Sequence, residues 1–131
     1  MESRNTIQRS LVEDAVHCLN HPTAEEVYTY ISTLHPSVSK ATVYRNLGVL
    51  VEKGMLRKVG LPDGADCFDI TVADHYHIRC KKCGLVADVD LPYCKNLNAL
   101  IKNAAGFVVE GHELIIRGLC PACAELNSQA D

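Results

Sequence analysis

The chain has 131 residues, of which 47% are hydrophobic and 22% charged, with a formal net charge of −3 and seven cysteines. That length fits one domain or two very small ones sharing a linker, and no apolar run is long enough to span a bilayer. The opening MESRNTIQRS has no apolar signal-peptide core, so a cytoplasmic location is expected; there a high, odd cysteine count points to metal binding or redox chemistry rather than to a disulfide framework.

Taken in chain order, Ile7, Leu11, Val12, Ala15, Val16 and Leu19 recur at helical spacing and predict a first helix from about residue 7 to 19, ended by Asn20, His21 and Pro22. Thr23-Ala24-Glu25-Glu26 has the form of a capping box, and Val27, Tyr30, Ile31 and Leu34 supply the apolar face of a second helix. After a break at His35 to Val38, Ser39 can cap a third helix, Lys40 to Lys53. Val43, Leu47, Leu50 and Val51 would face inward there, and Gly54 supplies the stop. Two short helices joined by a tight turn fit a helix-turn-helix, whose second helix enters the major groove. MLRKVG and CFDI flank PDGAD, which reads as a hairpin and hence a wing.

Net acidity argues mildly against nucleic-acid binding when charge is spread evenly, and here it is not. Between Ser37 and Lys58 the chain carries Lys40, Arg45, Lys53, Arg57 and Lys58 against Glu52 alone, about +4 locally. Lys40, Thr42, Tyr44, Arg45 and Asn46 stand off the apolar stripe of the third helix, where such side chains can contact the phosphates and base edges of double-stranded DNA. Periodicity alone also allows an ordinary three-helix core with no such role.

Cys80-Lys81-Lys82-Cys83 and Cys120-Pro121-Ala122-Cys123 are two C-x-x-C pairs separated by 36 residues. Each presents two thiolates from one turn, and together they complete the tetrahedral shell of a structural zinc ion. A thioredoxin-like redox pair is the competing reading, and two matched pairs speak against it. Between the knuckles the pattern predicts a strand from Leu85 to Asp90, a helix from Tyr93 to Ala105 and a hairpin from Phe107 to Gly118. A metal clamp closing so long a loop would stabilise a unit too small for a large core. Cys18 reads as inert packing beside the first helix; Cys67 and Cys94 have no evident role.

His75 and His77 are two residues apart, so on an extended segment both rings leave the same side while Tyr76 points away. Such a pair is more often surface decoration than a ligand set. Asp69, at the end of the wing, Asp88, on the strand after the first knuckle, and His21, at the end of the first helix, are further nitrogen and oxygen donors.

HPTAEEVY, SKATVYRNL, FDITVADHYHIRC, KCG and the final CPAC together resemble the ferric-uptake-regulator family of metal-dependent bacterial repressors, over essentially the whole chain from Ile7 onward. Within that family the similarity is to the peroxide-sensing repressors, whose regulatory site uses three histidines and two aspartates. The matching positions are His21, Asp69, His75, His77 and Asp88, without substitution; in iron-uptake members both carboxylates are typically glutamates, and zinc-uptake members usually bring in a cysteine. The resemblance implies an α+β chain, with a winged helix-turn-helix DNA-binding domain at 1–70 and a small α/β dimerisation and metal-binding domain at 71–131 holding a four-cysteine zinc site. It also implies a homodimer on operator DNA.

Three imidazoles and two carboxylates suit Fe²⁺ or Mn²⁺. The resemblance implies that bound Fe²⁺ reduces hydrogen peroxide and that a ligand histidine, His21 or His75, is oxidised at carbon, so that the repressor leaves its operator. An ion shared between the two domains would lock their relative angle. A further metal site of iron-uptake members is not expected, because Tyr76 interrupts its HHDH stretch, Lys95 stands in its glutamate position and only His112 matches; His112 then reads as a strand histidine. Peroxide repressors usually carry one more N-terminal helix before the segment matching RNTIQR, and only a handful of residues precede it here. The alternatives are an iron- or manganese-responsive uptake repressor of the same family, a small metalloenzyme, and a metal-binding module that contacts only protein.

Overall fold

In the computed structural model, helices α1 (Arg4–Cys18), α2 (Ala24–Leu34) and α3 (Lys40–Glu52) are followed by strands β1 (Arg57–Val59) and β2 (Cys67–Asp69). The structure describes residues 4–62 and 64–129, with the side chains of 127–129 left aside. Of the expected PDGAD turn, Asp63 lies outside the described residues. The chain divides into two compact units, Met1–Ala73 and Asp74–Asp131.

The first unit is a winged helix. Thr23 caps α2 with its hydroxyl accepting the Glu26 N–H at 3.2 Å, and the Glu26 carboxylate accepts the Thr23 N–H at 3.1 Å, the reciprocal box read from the sequence. Ser39 caps α3 through the Thr42 N–H at 3.1 Å. At the other end of α3, Gly54 takes a φ of 72°, its N–H donates to the Val51 carbonyl and the Met55 N–H to that of Leu50. This Schellman closure needs a left-handed residue, which glycine adopts without a Cβ penalty. Val12, Ala15, Val16, Val27, Ile31, Val43, Leu47, Leu50, Leu56 and Phe68 form one buried cluster in which the three helices and the wing meet. β1 and β2 pair antiparallel, Lys58 opposite Phe68. β2 is tied to the turn between α1 and α2 by the Phe68 N–H donating to the Pro22 carbonyl at 2.8 Å and by a backbone bridge between Thr23 and Cys67.

The second unit is built on β3 (Tyr76–Cys80), which has β4 (Val86–Val89) antiparallel on one edge and β5 (Ile115–Gly118) parallel on the other. One 3₁₀ turn (Leu97–Leu100) lies between β4 and β5, and a last helix, α4 (Pro121–Gln129), follows β5.

Three sequence expectations are corrected here. The helix expected over 93–105 is only the single 3₁₀ turn: Leu97, Leu100 and Ile101 are exposed, so no packed apolar face offsets the cost of helix nucleation. The hairpin expected over 107–118 is the single strand β5, paired to β3; Phe107 and Val108, 79% and 89% exposed, have strand propensity but no neighbouring backbone to pair with. α4 was not expected, although Pro121 at its first position and the run Ala122-Cys123-Ala124-Glu125-Leu126 carry the signal. In addition, Cys18 is exposed at the end of α1 rather than packed.

Thr23→Ala removes the hydroxyl half of the capping box while keeping the backbone N–H that Glu26 accepts, and stability measured by urea unfolding should fall by about 1 kcal/mol. An unchanged midpoint would show that α2 starts without it.

Candidate metal centres and DNA-binding face

The four knuckle cysteines converge within the second unit. Their sulfurs lie within 4.8 Å of one another, with Cys83 Sγ and Cys120 Sγ 3.7 Å apart. A tetrahedral ion with 2.3 Å bonds to sulfur separates its ligands by about 3.8 Å, so the donor set fits such an ion. The first knuckle is shaped by Gly84 at a φ of 83°, whose N–H donates to the Cys80 carbonyl, and by the Cys83 N–H, which donates to Cys80 Sγ at 3.4 Å. The second is the start of α4, where Pro121 occupies the first helical position. β5 brings it into place, because Gly118 is the register partner of Cys80. The Cys80 thiol is lowered to about 5, first by the Cys83 N–H and then by that of Cys120. The Cys123 thiol is pushed up to about 12, first by its hydrogen bond with Cys120 and then by burial.

Each unit also carries a histidine–aspartate cluster. In the first, His21 Nε2 and Asp69 Oδ2 are 3.4 Å apart, with side chains 8% and 5% exposed. The tie between β2 and the Pro22 carbonyl places them together. His21 has a φ of 43°, the left-handed region that non-glycine residues seldom occupy. The Asn20 side-chain oxygen lies 2.9 Å from His21 Nδ1, where it can accept a proton from the ring and set its orientation. Asp69 Oδ1 accepts the Thr71 N–H at 2.9 Å. An imidazole nitrogen and a carboxylate oxygen held this close are a donor pair suited to a cation.

In the second unit, His77 and Asp88 are register partners across β3 and β4. His75 Nε2 lies 3.1 Å and His77 Nε2 3.5 Å from Asp88 Oδ1, and the two rings are 4.5 Å apart. The same-side geometry follows from the period of the strand. Tyr76 turns the other way and is 2% exposed. Its hydroxyl lies 2.7 Å from His112 Nε2 and accepts the Cys94 N–H at 3.0 Å, and the Tyr93 ring stacks on His112 at 4.7 Å. His112 precedes β5 and is not a strand residue; its place is in this anchor, where Nδ1 lies 3.0 Å from Asn98 Oδ1. Sequence reasoning missed both Asn20 and this anchor, since neither has a spacing signal.

Of the five side chains expected on the DNA-binding face, Lys40, Tyr44 and Arg45 are exposed and Thr42 is half-buried. Asn46 departs from the expectation: it is 4% exposed and its amide donates to the Thr42 carbonyl at 2.9 Å, so it faces the core. Cys67 is buried in β2, and burial and then the Asp69 charge push its thiol up to about 11, which leaves it an inert packing group.

A four-thiol cluster, histidine–aspartate clusters and a winged helix in one chain define a metal-dependent transcription regulator, and the chain belongs to the ferric uptake regulator family, whose model matches residues 1–117. It is thus a regulator and not an enzyme. It is 36% identical to the peroxide operon regulator of Bacillus subtilis over 93% of this chain and 85% of that one. It is 34% identical to the peroxide-responsive repressor PerR of Staphylococcus epidermidis over 93% of this chain and 79% of that one. Among solved structures it is similar to the Campylobacter jejuni peroxide stress regulator, with a TM-score of 0.68 and 28% identity, over 92% of this chain and 91% of that one. Among the described residues, no helix is long and apolar enough to cross a membrane.

Metal uptake by the four cysteines must strip the Cys123 proton, and acid must return one to Cys80; lower pH therefore weakens binding. Zinc loaded into the cluster should be bound more weakly as pH falls, as read by competition with a chromophoric chelator. A zinc affinity that does not change with pH would contradict the thiolate assignment.

Proposed function

We propose that this chain is a cytoplasmic, homodimeric, peroxide-sensing repressor of the ferric uptake regulator family. Cys80, Cys83, Cys120 and Cys123 would hold a permanent structural Zn²⁺. His21, Asp69, His75, His77 and Asp88 would together hold one exchangeable Fe²⁺ or Mn²⁺. The observation that carries the reading is the donor chemistry: each histidine–aspartate cluster offers imidazole nitrogen and aspartate oxygen without sulfur, while the thiols are gathered in a cluster of their own. Hard oxygen and borderline nitrogen donors suit Fe²⁺ and Mn²⁺, and thiolates suit zinc. The similarity to two peroxide-responsive relatives supports the same assignment.

The protein side of the mechanism rests on positioning. Asn20 orients the His21 ring, the Tyr76 anchor orients the strand that presents His75 and His77, and Asp88 lies opposite both. Bound Fe²⁺ would mediate a two-electron oxidation in which an imidazole carbon of His21 or His75 gains one oxygen of hydrogen peroxide and the other oxygen leaves as water. An oxidised imidazole is a poorer ligand, and an ion that draws on both units couples them only while all its ligands hold. Its loss would release operator DNA through the face of α3 that carries Lys40, Thr42, Tyr44 and Arg45. A shift of a few kcal/mol between two arrangements suffices for such a switch.

The test is anaerobic. Protein loaded with Fe²⁺ and bound to operator DNA should, on addition of stoichiometric peroxide, gain one oxygen on the peptide holding His21 or His75 and release the DNA. Unmodified histidines with retained DNA would mark an iron- or manganese-responsive uptake repressor instead. His75→Ala should abolish metal-dependent DNA binding yet leave a folded, zinc-containing dimer, and loss of zinc in that variant would contradict the separation of the two sites. Cys83→Ser should lose zinc and weaken the dimer, measured by metal analysis and sedimentation; a stable zinc-bound dimer would show that the clamp is misassigned.

A further inference from the structure

One carboxylate holds two of the side chains proposed to meet DNA. Glu25, in the first turn of α2, takes an ion pair from Lys40 Nζ at 2.6 Å and a hydrogen bond from the Tyr44 hydroxyl at 3.0 Å, both on the same oxygen, Oε2. Lys40 Nζ also lies 5.6 Å from the Tyr44 ring centroid and 6.0 Å from that of Tyr28. Lys40 and then Tyr44 hold the Glu25 carboxyl below its ordinary range.

The fold does not depend on this contact. The Lys40 and Glu25 side chains are 52% and 58% exposed, and exposed ion pairs add little to stability. The start of α2 is held by Thr23 and Glu26, and the core packs without Glu25. What the contact does control is access: a lysine ammonium and a tyrosine hydroxyl converging on an anionic oxygen is the arrangement with which proteins grip a DNA phosphate.

We infer that Glu25 is a built-in competitor for DNA phosphate, occupying Lys40 and Tyr44 so that sequence-independent binding is restrained. The inference rests on α3 being the DNA-contacting helix proposed above. A phosphate must displace the Glu25 carboxylate before it gains either side chain, and in a chain of net charge −3 the displaced carboxylate remains nearby as a repelling charge. Glu25 is therefore a positioning residue that sets how readily the face grips a duplex of any sequence.

The experiment uses the full chain loaded with zinc and manganese, a fluorescein-labelled mixed-sequence duplex, and anisotropy across a range of KCl concentrations. Glu25→Gln keeps the length and a carbonyl acceptor for Tyr44 and removes the charge. It should tighten binding about three-fold, since only an exposed pair is released. It should also steepen the slope of log Kobs against log salt by about one, because one more cation becomes available to a phosphate. In a Lys40→Gln, Tyr44→Phe background the gain should vanish. Binding no tighter than wild type would overturn the inference, and a gain that persists in that background would overturn it in favour of a general charge effect. Glu25→Ala should move binding in the same direction, and matching thermal midpoints will show that neither variant acts through folding. Wild-type protein that binds no duplex even at low salt would overturn the DNA-binding reading together with this inference, whereas wild-type binding without a Glu25 effect overturns the inference alone.

Discussion

The pairing of β3 on both of its edges is the constraint on which the second unit depends. Antiparallel pairing with β4 sets Asp88 opposite His77, and parallel pairing with β5 sets Gly118 opposite Cys80, two residues before Cys120. One five-residue strand thus fixes the geometry of the nitrogen–oxygen cluster at its start and of the thiol cluster at its end. A slip of one residue would turn the histidines inward and bring Tyr76 out, because side chains alternate with a period of two. The buried Tyr76, anchored by His112 and the Cys94 N–H, works against that slip. So does the thiol cluster: an ion joining the two knuckles closes the long loop between them and holds β5 against β3. A metal ion in the thiol cluster would therefore stabilise the register that places His77 opposite Asp88, which is a physical reason for the two clusters to be neighbours in the chain.

The two donor sets differ in what they ask of the protein. The thiols are made ready by backbone N–H groups, and the Cys80 thiolate is favoured by hydrogen bonds from Cys83 and Cys120 that exist because of the turn geometry itself. The histidine–aspartate clusters are made ready mainly by side chains, Asn20 on His21 and the shared Asp88 oxygen on His75 and His77, with one backbone group, the Thr71 N–H, on Asp69. His21 also sits in the left-handed region, where a non-glycine residue persists only when its surroundings hold it there. The Phe68–Pro22 hydrogen bond and the Thr23–Cys67 bridge on either side of the turn are those surroundings.

What was legible in the sequence was what is encoded locally. The caps of α2 and α3, the glycine closure after Lys53, the two C-x-x-C knuckles and the same-side pair of histidines each follow from spacing within a few residues. The thin stretch from Tyr93 to Leu114 was not legible. Its apolar residues have the periodicity of a helix and a strand, but periodicity predicts an element only where something covers the apolar face, and Leu100, Phe107 and Val108 are all largely exposed. Asn46 was misplaced for the opposite reason: a polar side chain on the third helix was taken to face solvent, while its amide satisfies itself on the carbonyl one turn back and can be buried. The Glu25 contact with Lys40 and Tyr44 joins residues from two helices and has no linear signature at all.

Within the first unit, the His21–Asp69 cluster shares its supports with the proposed DNA-binding face. Asp69 ends β2, the second strand of the wing, and His21 immediately precedes Pro22, whose carbonyl receives the Phe68 N–H. One residue further on, Thr23 caps α2, the helix that carries Glu25 toward Lys40 and Tyr44. A cation shared by His21 and Asp69 would hold the end of the turn between α1 and α2 against the end of β2, and its loss would let either residue move. Either movement acts on a backbone that holds the wing or starts α2. A metal ion at this cluster and the proposed DNA-binding face of α3 would thus be joined in this unit by the short run of backbone from residue 21 to 25, with β2 beside it.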